Sequence, residues 1–173
     1  MAQPENYYYD VCLEDGSSQA GLVPCEYRKP QARQRRRFAE IKVGDALPVL
    51  EQGPVTRTHI VKYAGASYDF NPIHHDEVFA QRSLAGGIIA HGMMIMGYLG
   101  KSATDYLGTA QFDKFSSRNV AMTRPGDTLI IEGRIEDAQP RAGGGTVRIA
   151  MTAKNKANGT LLCVGEITAT LQD

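Results

Sequence analysis

Hydrophobic positions along this chain follow two different periods, and the changes of period mark its elements. Across Thr128 to Asp137, Leu129, Ile131, Gly133 and Ile135 alternate with Thr128, Ile130, Glu132, Arg134 and Glu136. That period of two predicts a strand with one buried face. Val147, Ile149 and Met151 fall together in the same way between Thr146 and Lys154, and strands are predicted over Gln111–Val120 and Leu161–Leu171. Asn158-Gly159 reads as a two-residue hairpin turn. Earlier, Leu47–Val55 reads as a strand interrupted by Gly53-Pro54. The period then becomes helical. Thr56 or Thr58 suits an N-cap, and Ile60, Val61, Tyr63 and Ala64 share one face. A further short helix is predicted around Glu77–Gln81.

From Gly92 to Leu107 the first half is apolar on nearly every side, through Met93, Met94, Ile95, Met96, Tyr98 and Leu99. Such a pattern predicts a helix buried all round. Gly97 and Gly100 cost helix propensity, so close neighbours are expected against both. The order is strand, long helix, then an antiparallel meander of about four strands. The predicted class is α+β, an antiparallel sheet wrapped around one central helix.

Residues 1–37 read as an N-terminal extension to a main domain at 38–173. Tyr7–Leu13 and Leu22–Tyr27 suit a short hairpin, followed by Arg28–Arg37 with six basic residues in ten. That tract is either a clamp for the phosphates of a coenzyme or a solvated linker. The lack of interleaved aromatics favours the linker, and the run Arg33–Arg37 is expected to be dispensable for folding.

Composition narrows the classes. The chain has 173 residues, 42% of them hydrophobic, and 19 basic residues balance 19 acidic ones. Neither nucleic acid nor an anionic membrane is a natural partner for that balance. The N-terminus lacks a basic-then-apolar leader, and the apolar stretch Gly86–Gly100 is too short to span a bilayer comfortably. Cys12, Cys25 and Cys163 are odd in number and lack metal-site spacing. They read as reduced, buried thiols in a cytoplasmic protein.

The chemistry concentrates in Tyr68-Asp69-Phe70-Asn71-Pro72-Ile73-His74-His75-Asp76. Pro72 lacks an N–H and pushes Asn71 out of the helical region, so the segment is an irregular loop stiffened at its centre. Asp69 and His74 are placed to converge on one small volume. About fifteen residues on, Ala90-His91-Gly92 opens the apolar helix. Three readings remain open from the residues alone. In the first, Asp69 and His74 handle a water, Asn71 fixes the loop or contacts substrate, and the Gly92 amide meets a carbonyl oxygen gaining charge. In the second, His74, His75, Asp76 and His91 hold a metal, although no HExxH or CxxC spacing supports it. In the third, Asp69 caps a turn and His74 is satisfied in the core.

Asp69-Phe70-Asn71-Pro72-Ile73-His74, followed by Ile89-Ala90-His91-Gly92-Met93, resembles the hydratase motif of MaoC-like dehydratases. These are hot-dog fold proteins related to (R)-specific enoyl-CoA hydratases. The resemblance covers about residues 38–171 and includes the turn Arg124-Pro125-Gly126-Asp127. It implies a hot-dog fold and reversible addition of water to a 2-enoyl thioester, carried by coenzyme A or an acyl-carrier protein. Asp69 and His74 would be the catalytic dyad. Gly92, with the backbone near His91, would hold the thioester oxygen, and Asn71 would contact substrate. No cofactor and no metal are implied. Where relatives often have glycine before the aspartate this chain has Tyr68, which would narrow the pocket or touch the acyl group. Hot-dog relatives pair their sheets, so a homodimer or a heterodimer with another hot-dog chain is expected. A hot-dog thioesterase and a non-catalytic acyl-binding subunit are the alternatives.

Overall fold

The computed structural model describes residues 35–108 and 110–173. The hairpin expected at Tyr7–Tyr27, Cys12, Cys25 and most of the basic tract lie outside the described residues. Five strands form one antiparallel sheet: β1 (Leu50–Gln52), β2 (Gln111–Asn119), β3 (Leu129–Arg141), β4 (Gly144–Asn155) and β5 (Leu161–Gln172). Their spatial order is β1-β3-β4-β5-β2. Three helices precede β2: α1 (Arg57–Ser67), α2 (Glu77–Arg82) and α3 (Gly92–Leu107). None of the described helices is long and apolar enough to cross a membrane.

The order corrects one expectation. Only β3, β4 and β5 form a meander, because β2 pairs with β5 (Phe115 opposite Ile167) rather than with β3. The segment Val120–Thr128 carries the chain from one side of the sheet to the other. The first strand is also shorter than predicted. Past Gln52, Gly53 runs so close to Thr128 that an added Cβ would lie 2.8 Å from its Cα, and Pro54 has no N–H to offer a ladder.

Alternation along β3, β4 and β5 puts Leu129, Ile131 and Ile135, Val147, Ile149 and Met151, and Ile167, Ala169 and Leu171 into one buried layer. The register places Ile131 opposite Ala153, and Ile149 opposite both Ile135 and Ile167. The other face is polar and laced across strands by Arg148 with Glu136 and Glu166, and by Lys154 with Glu132. One side packed and one side wet is the usual state of an antiparallel sheet.

Helix α3 lies on the buried layer through Ile95, Leu99, Ala103 and Leu107. Its approach to β5 is close. A Cβ at Gly165 would sit 2.8 Å from Leu99 Cδ1, and one at Gly100 would sit 3.0 Å from the Phe115 ring. Gly97, by contrast, has nothing within 4 Å. The helix is therefore buried on one face and not all round, and Met93 is 61% exposed. A single sheet covers only one side of a helix. Val61 on α1 is likewise exposed, so only Ile60 and Ala64 of its predicted apolar face are buried.

The structure also places both hairpin turns, one of them differently from the expectation. The β3–β4 hairpin turns on Ala142-Gly143, while Gly144 and Gly145 already lie in β4. Those two glycines are needed for close approach: a Cβ would meet the Leu171 carbonyl oxygen at 2.1 Å or the Phe38 ring at 2.3 Å. Between β4 and β5 the connection runs over residues 156–160 and is wider than two residues. Asn155 organises it, accepting from Ala157 N at 2.8 Å. Cys163 is buried in the core, where burial pushes its thiol up from the ordinary value.

Arg36 belongs to this unit. Its N–H donates to the Leu107 carbonyl (3.1 Å), its Nε donates to the Tyr106 carbonyl (2.9 Å), and its guanidinium lies 4.2 Å from the Tyr106 ring centroid. A cation at the carbonyl end of α3 is favourably placed for the helix dipole. Arg37 pairs with Glu40. Arg36 and Arg37 are thus bound to neighbours within this unit.

Leu99 is fully buried where α3 crosses β5. Leu99→Ala should lower unfolding stability by about 2–5 kcal/mol. Denaturant titration should show a lower midpoint with an unchanged slope. A loss below about 1 kcal/mol would mean that the crossing can collapse around the cavity.

Candidate functional site

The candidate site is built where α1 ends and α3 begins. Thr56 caps α1 by accepting from His59 N (3.1 Å), and His59 Nδ1 accepts in return from Thr56 N (3.3 Å). The helix runs three residues beyond the predicted Ala64. It stops at Tyr68, which adopts left-handed dihedrals (φ 60°, ψ 24°). For a residue with a Cβ that conformation costs energy, on the order of 1 kcal/mol. It turns the chain sharply into Asp69.

From there the loop is tied internally. Asp69 Oδ1 accepts from Asn71 N (3.3 Å), and Asn71 Oδ1 accepts from Ile73 N (3.1 Å). Asn71 thereby caps a short 3-10 turn over Pro72–His74, with Pro72 at its first position. The amide oxygen of Asn71 is thus engaged in fixing the loop, one of the two roles anticipated for it.

The turn aims His74 at the segment before α3, where its Nδ1 lies 2.8 Å from the Ile89 carbonyl oxygen. A carbonyl can only accept, so Nδ1 carries the proton. In neutral His74 the lone pair is therefore on Nε2. His91, the N-cap of α3, faces Asp69 through its own contact: Nε2 donates to the Asp69 carbonyl at 3.0 Å. The two imidazoles stack with centroids 3.7 Å apart and 27° between planes. Each of Asp69, His74 and His91 offers a ligand-capable atom within 4.8 Å of the others. Asp69 and His74 do converge.

His91 is 1% exposed, and its Nδ1 has no hydrogen-bond partner among the described residues. Burial pushes its pKa below the ordinary histidine value. The neighbouring His74 and His75 add to that shift, while the bond to the Asp69 carbonyl and the Asp69 charge oppose it. Its ring therefore faces the protein interior, and it is the backbone that begins α3 here which lies at the open site. Gly92 follows as the first residue of α3, whose opening amides have no carbonyl partner within the helix. Anions and developing negative charge are favoured there.

Four neighbours of the site were not anticipated. Asn119, at the end of β2, sets its carboxamide against Gly92, where an added Cβ would lie 2.2 Å from Nδ2. No local pattern in the sequence joins positions so far apart. Tyr63 stands 4.9 Å from the His91 ring, and burial followed by the Asp69 charge pushes its phenol up. Arg124 donates to the Ala85 carbonyl (2.6 Å), and Thr123 accepts from Ala90 N (2.8 Å). The turn after β2 thereby holds the approach to α3. Tyr68 is 87% exposed and packs edge-on against Phe70, with centroids 5.5 Å apart.

The four-residue metal set is dispersed. Asp76 accepts from Phe79 N (3.0 Å) as the N-cap of α2, and His75 Nε2 bonds the Phe70 carbonyl (3.1 Å). Asp69, His74 and His91 remain close, but stacked rings keep their in-plane lone pairs nearly parallel. An ion at a zinc–nitrogen distance of about 2.0–2.1 Å from both would lie far out of both ring planes. The donor set does not fit a shared ion.

Comparison with known proteins bears on this geometry. The sequence profile of the family described as MaoC like domain matches residues 39–158. The fatty acid synthase subunit beta of Aspergillus oryzae is 36% identical over 78 residues, which are 43% of this chain. The chain spans only 4% of that much longer protein. A monoamine oxidase regulatory protein from Archaeoglobus fulgidus has a similar structure, with a TM-score of 0.73 and 26% identity. That likeness covers 82% of this chain and 97% of the other. The R-hydratase PhaJ1 from Pseudomonas aeruginosa shares the fold with a TM-score of 0.70 and 22% identity, covering 79% of this chain and 86% of that one.

The state of His91 has a consequence for stability. Its folded pKa is depressed, so on acidification the unfolded chain takes up a proton that the folded chain refuses. Stability is therefore lost as the pH falls below about 6.5, the ordinary histidine value, and the loss stops growing below the folded value. His91→Phe removes this difference. Its melting temperature should fall less than the parent's between about pH 7.5 and about pH 5.5. Equal falls would show that His91 is not held neutral in the folded chain.

Proposed function

The chain belongs to the MaoC-like domain family, and from that membership we propose that it is a hydratase or dehydratase acting on 2-enoyl thioesters. The acyl group is carried by coenzyme A or by an acyl-carrier protein, and the product is a 3-hydroxyacyl thioester. One observation carries this reading. A ring nitrogen of His74 and a carboxylate oxygen of Asp69 lie within 4.8 Å of each other, beside His91 at the start of α3.

The chemistry follows from those groups. A water held between the Asp69 carboxylate and His74 Nε2 loses a proton to the dyad as its oxygen bonds to C3 of the substrate. The electrons of the C2–C3 double bond move toward the thioester oxygen. That oxygen, now enolate-like, is held by the Gly92 amide at the start of α3, where the helix dipole favours negative charge. The dyad then returns a proton to C2, and dehydration is the same path reversed. No covalent intermediate with the protein is needed, and neither a redox cofactor nor a metal enters. The fold shared with an R-hydratase supports the reading. Tyr68, beside Asp69, contacts the acyl group in this scheme.

A second copy of the chain, or a related hot-dog chain, completes the assembly in this proposal. The outer edge of β2 is unpaired among the described residues, and Met93, Phe70 and Tyr68 stand exposed next to the site. An uncovered strand edge favours pairing. A stable monomer in sedimentation at micromolar concentration would rule the pairing out.

The dyad is tested with crotonyl-CoA by following both the enoyl absorbance and free thiol. Asp69→Asn and His74→Ala should each lower kcat by roughly 10²–10⁴-fold, with smaller changes in KM. Groups that act as one unit are non-additive, so the double variant should be little worse than the poorer single one. His75→Ala should have a modest effect. Release of free thiol in step with the loss of absorbance would instead indicate a thioesterase, since hydration consumes the absorbance and releases none. A folded Asp69→Asn that hydrates as well as an active parent would overturn the dyad.

A further inference from the structure

We propose that His91 is the positioning residue of the site: its imidazole fixes the spacing between the Asp69 carboxylate, the His74 ring and the first turn of α3. The inference rests on the hydratase reading for its kinetic consequences, but its structural content stands on separate observations.

Asp69 is exposed, and the other hydrogen bonds of Asp69 itself are local ones, to Ser67 and Asn71 two positions away. Such bonds shape a loop without fixing it to the rest of the molecule. The Nε2–H of His91 supplies a link of 22 residues in sequence, tying the Asp69 backbone to the N-cap of α3. The same ring backs His74 at 3.7 Å, and Tyr63 of α1 closes the other contact at 4.9 Å. One buried side chain therefore touches the segment bearing the base, the ring bearing its partner and the helix whose amides face the developing charge.

The protonation state is part of the device. With the proton on Nε2, the neutral ring leaves a lone pair on Nδ1, which is buried and has no partner among the described residues. A second proton there would be a buried donor without an acceptor, which is costly. It would also put a positive ring against His74 and close to His75, with Asp69 the opposing charge and the Tyr63 phenol alongside. Burial holds His91 below its ordinary pKa, in the state that the geometry needs. In the stacked pair it is His74, half-buried, that keeps Nδ1 on the Ile89 carbonyl and so has its lone pair on Nε2 when neutral.

Two variants separate positioning from mere filling. His91→Phe keeps a ring against His74 but deletes the donor, whereas His91→Gln keeps a donor and deletes the ring. Small misplacement of reacting groups costs about 10²-fold, so His91→Phe should lower kcat by about that factor with KM within about threefold. The acid limb of its pH–rate profile should shift as well. His91→Gln should recover part of the rate. A folded His91→Phe with parental kcat and pH profile would overturn the proposal. So would losses in both variants that only track their melting temperatures. Nitrogen-15 spectra of the histidine rings decide the matter even for a chain that hydrates no enoyl thioester. The expected state is His91 neutral with its proton on Nε2 near pH 6, about the ordinary histidine value. A charged ring or an Nδ1-protonated one would overturn it. Failure of the dyad variants with an intact His91 tautomer would count against the hydratase reading alone.

Discussion

The crossing of α3 over β5 is the constraint on which the rest depends. At Gly165 the sheet offers no side chain, and Leu99 fills the space so closely that a single added carbon would collide with it. Gly100 does the same for Phe115 from the helix side. Close-packed interiors transmit such fits as rigid positions rather than as averages. With its middle held on the sheet, α3 has little freedom at its start. His91 and Gly92 are therefore presented at a defined height above the strands. The far end is held as well, by Arg36 donating to the last carbonyls.

Onto that fixed helix the chain docks a loop that would be weakly ordered by itself. Pro72 and the Asn71 cap restrict the backbone locally, and Tyr68 accepts a left-handed conformation to change its direction. The longer-range bonds come from two imidazoles, His74 to Ile89 and His91 to Asp69, and from the Ile89 amide, which donates to the Ile73 carbonyl. Arg124 and Thr123 hold the same approach from the opposite side, through Ala85 and Ala90. The polar groups at the site thus serve two ends, since most of them also satisfy backbone atoms that folding would otherwise leave unpaired.

Much of this was legible in the sequence, for identifiable reasons. Period-two alternation located β3 and β4 and their buried faces, because a half-buried sheet leaves that signature directly. The Asp69–His74 loop was legible because proline and asparagine have narrow backbone preferences. Pairing order was not, since β2 and β3 look alike in pattern and only the path of Val120–Thr128 decides which neighbour β2 takes. The exposed side of α3 was misread because Met93 and Met96 are apolar whether or not anything within the chain covers them. Asn119 and Arg124 reach the site from distant strands, and nothing local in a sequence records that.

The three histidines in and beside this loop show why residue type alone underdetermines chemistry. Each places one ring nitrogen on a backbone carbonyl: His74 on Ile89, His75 on Phe70 and His91 on Asp69. Carbonyls only accept, so in the neutral ring each contact fixes which nitrogen keeps its lone pair. For His74 that nitrogen is Nε2, in a half-buried ring next to the Asp69 carboxylate, where a lone pair is chemically useful. For His91 it is Nδ1, enclosed, where a lone pair is tolerable and a proton is not. His75 is exposed, and its ring is spent on holding Phe70. Identical side chains thus occupy three different states, and the difference lies in which nitrogen meets a carbonyl and how much solvent reaches the other.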